Sequence, residues 1–309
     1  MSKHKKAKKS APPQNRPQPK SLKPKLERQL ERANELLREG DTGEAVRLLE
    51  ELHHANPRQP DILSELISLF ANIEDKHNYL RYAQRLSQLL PGDEDALLVV
   101  AQGYLANFYP ALAIKSYQTF LRRFPNASET DEIRTKVSEL EPILHTSLAE
   151  YNLPEENWLE IAILQDTVRF NLEFGYFAEA RNASNQLLKI LPNFVPALNN
   201  RSQIEWLSGN GEIAIATAQR VLALNPANYH ANANLSRFLL FSGRKEEAKQ
   251  YVARMDGNQS EDTDFWLKKL ETLSYLGDDQ AILATLEAAL ESSSGKYVAT
   301  HPIFWHYGA

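Results

Sequence analysis

The chain has 309 residues, 42% apolar and 24% charged, with a formal net charge of −5. That is enough apolar material for a long stacked core, while the absence of cysteine excludes a disulfide framework and a thiolate metal site. No window approaches 18 consecutive apolar residues, so no membrane-spanning helix is predicted.

The charge is divided unevenly. Residues 1–25 carry eight lysines and Arg16 and no acid, interleaved with Pro12, Pro13, Pro17, Pro19 and Pro24, so a disordered, extended tail is predicted there. No apolar stretch follows its lysines, so it is not a secretory signal, and a cytoplasmic protein is expected. Two readings of the tail stand side by side. It contacts RNA, ribosomes or an anionic surface electrostatically, or it solubilises the chain and touches nothing specific.

From residue 26 onward the chain repeats. Gly40 is followed at offset five by Ala45 and then by Pro57. The next two units lose the glycine, placing Glu74 and Phe108 in the turn, but keep the closing prolines Pro91 and Pro125. Gly175, Gly209, Gly243 and Gly277 then recur every 34 residues, with Ala180, Ala214 and Ala248 five residues on and Pro192 and Pro226 closing two of the units. Each element has a physical role: glycine takes the left-handed conformation that closes a helix, alanine lets two helix backbones approach, and proline stops the second helix. Between Asn126 and Glu160 the lattice breaks, since Phe108 to Gly175 is 67 residues, one short of two periods. Pro142 and Pro154 are expected to cut this stretch into separate helical segments. After Ser294, the run His301–Ala309 reads as the opening of a further first helix, with Phe304, Tyr307 and Gly308 suitably spaced.

In its turn, alanine and proline sites the chain resembles the tetratricopeptide repeat family, although Arg201 and Ser202 stand where that family's first helix carries leucine and glycine. The resemblance implies an all-α fold, a right-handed α-solenoid superhelix of 34-residue helix–turn–helix repeats. The organisation expected is a basic tail at 1–25, three repeats at 26–125, a divergent helical segment at 126–160, four repeats at 161–294, and an incomplete further repeat at 295–309. Such an end is expected to associate with a partner or a second copy, because its stacking face is uncovered.

The resemblance also implies function: a protein-interaction scaffold whose first helices line a concave groove that takes a peptide or a partner helix. The repeat phase puts Gln165, Arg169, Asn199, Asn200, Gln203, His230, Asn234 and Arg237 on that face. Amides and guanidinium groups in a row can bond a peptide backbone and pair with a carboxylate, as in the carboxylate clamp of chaperone-binding family members, whose lysines are not reproduced here. The alternative is an adaptor led by the basic tail. An enzyme is not expected, nor a cofactor or metal: the glycines are never clustered as a phosphate loop, and the adjacent His53 and His54 point to different faces of a helix.

Overall fold

The computed structural model describes residues 24–255 and 262–292, and every regular element among them is helical. The basic tail lies outside the described residues except for Pro24 and Lys25, which open the first helix. The further repeat expected at 295–309 lies wholly outside them. The chain divides into two compact units, residues 1–90 and 91–309.

The first unit holds two helix pairs, α1 (Pro24–Glu39) with α2 (Thr42–Ala55) and α3 (Pro60–Asn72) with α4 (Lys76–Leu89). The second unit begins with the pair α5 (Glu94–Ala106) and α6 (Pro110–Arg123). A single helix, α7 (Thr130–Ser147), and a 3-10 turn at Ala149–Tyr151 follow. Four more pairs complete it: α8 (Trp158–Glu173) with α9 (Phe177–Ile190), α10 (Val195–Leu207) with α11 (Gly211–Leu224), α12 (Tyr229–Phe241) with α13 (Lys245–Ala253), and α14 (Thr263–Leu276) with α15 (Asp279–Glu291). Among the described residues there are thus seven helix pairs and one extra helix, and each unit is an all-α stack of such pairs.

The turn inside every pair has one backbone solution. Gly40, Glu74, Phe108, Gly175, Gly209, Gly243 and Gly277 all have positive φ, between 59° and 84°. In each, the amide that follows the positive-φ residue reaches back five residues, as Tyr176 N–H does to the Asn171 carbonyl at 2.7 Å and Asn210 N–H to Glu205 at 2.8 Å. This is the Schellman closure, which satisfies carbonyls that a terminating helix leaves without partners. Glu74 and Phe108 adopt the glycine conformation without being glycine.

Beyond the turn, the second helix packs through a small residue. Ala45, Ala113, Ala180, Ala214 and Ala248 are fully buried where the two helices of a pair cross. Larger apolar residues fill the space between pairs. In the second unit one cluster runs from Leu198 through Ala214, Val221, Leu235 and Phe238 to Phe265 and Leu270, so each repeat covers the face of the next.

The divergent stretch corrects one expectation. Pro142 does not cut a segment: α7 runs through it without a break from Thr130 to Ser147. A proline inside a helix sacrifices the bond to the carbonyl four residues back, a cost of about 3 kcal/mol. The buried face of Ile133, Val137 and Leu144, packed in one cluster with Tyr117 and Phe120 of α6, offsets it. The chain leaves the helix only after Leu148, through the 3-10 turn and Asn152 at φ 48°.

Candidate functional site

In the second unit the first helices α8, α10, α12 and α14 pack side by side in that order. Repetition at 34 residues therefore becomes a row in space. Gln203, Arg237 and Glu271 occupy one position of three successive helices, and Leu207, Phe241 and Tyr275 occupy the position four residues on, one turn further along the same face. The second set was not singled out by its chemistry. Counting in steps of 34 from any one of the three finds the others.

Leu207, Phe241 and Tyr275 are all exposed. The Phe241 ring lies 5.6 Å from Tyr275, edge to face, and 6.5 Å from Trp206, near-parallel, while Trp206 stacks at 4.7 Å on Phe238 underneath. Beside this apolar ladder runs a polar one. Arg237 sits 3.9 Å from Glu271, bonds the Asn234 amide oxygen at 3.4 Å and lies over the Phe238 ring at 5.5 Å. Lys268 in turn reaches Glu271 at 2.9 Å.

The eight residues expected on this face divide by depth. Asn199 and Asn234 are buried, 7% and 6% exposed, and hold neighbouring elements: Asn199 donates to the Asn228 side chain at 3.2 Å and Asn234 to the Ser202 hydroxyl at 3.3 Å. Asn200, Gln203, His230 and Arg237 are half-buried, as is Gln165, and Arg169 is exposed. His230 lies 3.5 Å from the Asp264 carboxylate and 4.1 Å from the Tyr229 ring, and burial lowers its pKa although Asp264 pulls the other way. Tyr229 donates to Asp262 at 2.8 Å and to Asp264 at 3.1 Å, and burial beside these carboxylates raises its pKa.

At the α8 end the row meets the turn between α5 and α6. Asp166 is buried, and its carboxylate accepts the Ala111 amide at 2.8 Å. Arg169 donates to the Phe108 carbonyl at 3.2 Å, lies 3.4 Å from Asp166 and covers the Tyr109 ring at 5.2 Å, while the Tyr109 hydroxyl donates to Glu173. One turn is thus held by three α8 residues spaced at three and four. Next to it, the end of α7 and the Phe194 side chain border an open cavity of about 470 Å³, with Ser147, Gln165, Asp166 and Arg169 among its polar lining.

A second buried carboxylate ties α10 to α9 and to the turn before α11. Glu205, 2% exposed, accepts both nitrogens of a bidentate Arg181 fork at 3.1 and 2.9 Å, Arg201 at 2.6 Å and Asn210 at 2.7 Å. Burial alone would raise its pKa. The bonds from Asn210 and Arg181 and the charges of Arg201 and Arg181 outweigh that and hold it below the usual range. The arginine found in the leucine position of the first helix is therefore a partner for a buried acid.

Among the described residues no group of three or more histidines and carboxylates stands close enough to hold a metal ion, and no helix is long and apolar enough to cross a membrane. Residues 205–270 match a protein-family model described as a tetratricopeptide repeat. Over 91 residues the chain is 33% identical to the TPR repeat-containing protein YvcD of Bacillus subtilis (strain 168), a stretch covering 29% of this chain and 19% of that protein. The chain therefore spans about a fifth of the length of the curated relative it matches. Among solved structures it is similar to a tetratricopeptide repeat protein from Parabacteroides merdae ATCC 43184, with TM-score 0.42 and 12% identity over 92% of this chain and 98% of that one. It is also similar to the TPR domain of P58(IPK), with TM-score 0.36 and 14% identity over 92% and 75% of the two chains.

Proposed function

Since residues 205–270 match a tetratricopeptide repeat model, we propose that the chain is a protein-interaction scaffold that docks a peptide or a partner helix along the row of its first helices α8, α10, α12 and α14. The observation that carries this reading is the double ladder at 34-residue steps: exposed Leu207, Phe241 and Tyr275 beside polar Gln203, Arg237 and Glu271. Such a surface offers apolar contact along one line and hydrogen bonds along the other, the combination from which peptide grooves draw affinity and register. Exposed aromatics in line also suit a partner, because truncating buried aromatic anchors costs the most at interfaces.

In this reading Gln165, Arg169, Asn200, Gln203, His230 and Arg237 meet the ligand directly, and Asn199 and Asn234 act from below by fixing their neighbours. Docking is reversible and involves no covalent step.

The test is selection of peptides from a displayed random library on the full chain, followed by titration of the selected sequences against the Arg169→Ala/Arg237→Ala double variant and a Phe241→Ala variant. Affinity at least ten-fold weaker in both, at unchanged helicity, is the expected result. Peptides that bind both variants as tightly as the parent chain place the docking surface elsewhere.

A further inference from the structure

The cavity at the α8 end of the row is a separate recognition element. We infer that it is a receptor for one bulky, uncharged apolar side chain of the docked peptide, whose main-chain N–H bonds Gln165; the inference deepens the docking proposed above and rests on it.

Three independent observations lead there. The first is size: about 470 Å³ lies within the roughly 300–1,000 Å³ typical of ligand pockets, and Leu144, Leu148, Tyr151, Leu153, Ile161 and Phe194 supply an apolar wall. An apolar hollow of that volume is filled by a large side chain.

The second is an acceptor without a donor. Gln165 lines the cavity, and its Oε1 is buried with no hydrogen-bond partner. Buried polar atoms are nearly always satisfied, because leaving one unpaired forfeits its hydration with no return. An occupant that carries an N–H next to its apolar group supplies what is missing, and every peptide residue except proline does so.

The third is Phe108. Its φ of 60° is the left-handed conformation that five of the seven equivalent turns assign to glycine, and for a bulky residue this is costly. Burial does not repay the cost, since Phe108 is 76% exposed while also lining the cavity. Strain kept at an exposed position points to use rather than stability, and here it sets an aromatic lip on the mouth of the hollow. The charges at that mouth answer one another, Arg169 beside Asp166 at 3.4 Å, so the site asks for an uncharged anchor rather than a free carboxylate.

The probe is a 5-fluoro derivative of N-acetyl-L-tryptophanamide, titrated into the full chain and followed by fluorine NMR line width, with thermal unfolding measured in parallel. Saturable broadening that unlabelled N-acetyl-L-tryptophanamide reverses is expected for the parent chain. Phe108→Gly should raise the thermal midpoint, by relieving the strained turn, and yet weaken the probe at least five-fold. Ala162→Leu, which narrows the cavity from the α8 side, and Gln165→Leu should weaken it at least as much. Arg237→Ala, on α12 two helices along the row from α8, should leave it unchanged; loss of peptide docking in that variant with the probe still bound separates the row from the cavity. Absence of saturable binding to the parent chain, or equal binding to Phe108→Gly and Ala162→Leu, overturns the inference.

Discussion

The carboxylate of Asp166 accepts the amide of Ala111 at 2.8 Å, across 55 residues of sequence. Helix α6 begins at Pro110 after Tyr109, a cap residue whose side chain makes no capping bond, whereas α2, α4 and α15 are capped by Asp41, Asp75 and Asp278 from the preceding position. The acid that satisfies the first turn of α6 therefore comes from another helix. Asp166 joins α8 to α6, and with Arg169 and Glu173 it fixes the turn that carries Phe108.

This placement sets a pH dependence. Burial raises the pKa of Asp166 from 3.8 to about 6, against the pull of the Arg169 charge and the amides of Ala111 and Leu112. Between those values the folded state holds the proton that the unfolded state has released, so this residue's contribution to stability falls as pH rises from about 4 to 6. Asp166→Asn keeps an acceptor for Ala111 and removes the titration. Urea unfolding of the two proteins should show the variant gaining on the parent by about 3 kcal/mol between pH 4 and pH 7, the worth of roughly two pKa units. A constant difference across that range means that Asp166 titrates as an ordinary surface acid.

Glu205 behaves in the opposite sense. Its lowered pKa means that it stabilises the fold above the usual carboxylate range and loses that contribution as pH falls through its folded value. Replacing it by alanine removes the carboxylate from Arg181 and leaves Arg201 only its bond to the Asn185 side chain, and breaking a buried ion cluster from one side costs about 3–5 kcal/mol. Chemical denaturation of Glu205→Ala at neutral pH measures this. A loss below about 1 kcal/mol would show that water takes over the role of the acid.

The fully buried alanines at the helix crossings leave no room for growth. Ala214→Leu or Ala248→Leu should overpack its pair and lower stability by about 1–3 kcal/mol, read as a depressed thermal midpoint. Unchanged midpoints in both would contradict the packing of α11 on α10 and of α13 on α12.

In the first unit, Glu74 holds a φ of 59° at an exposed turn. A left-handed conformation costs a residue with a Cβ about 1–2 kcal/mol, part of which glycine returns through the greater freedom of its unfolded chain. Glu74→Gly is accordingly expected to stabilise the chain by about 0.5–1 kcal/mol in equilibrium unfolding. Destabilisation would mean that the Glu74 side chain contributes an interaction larger than the strain.

The sequence by itself determined what depends on a residue and its nearest neighbours. A turn that needs positive φ selects glycine at five of seven sites, and the 34-residue step then locates Glu74 and Phe108 at the other two. A tight crossing selects alanine by the same local logic, and the stacked helix pairs follow from both. What only the tertiary structure decided are pairings between distant segments. Pro142 reads locally as a break, yet α7 continues because its other face is buried with α6. Asp166 reads as one acid of many on a helix, and its function as a cap exists only because α8 packs on α6. Arg201 looks like a departure from a repeat pattern until Glu205 and Arg181 are beside it. The cavity beside Gln165 is a volume lined by four segments spread between Leu105 and Pro196. Periodicity carries the backbone conformation and the register of the stack, because both repeat; the partners of a buried charge and the shape of a hollow arise where the repeat is broken, and only the packed chain fixes them.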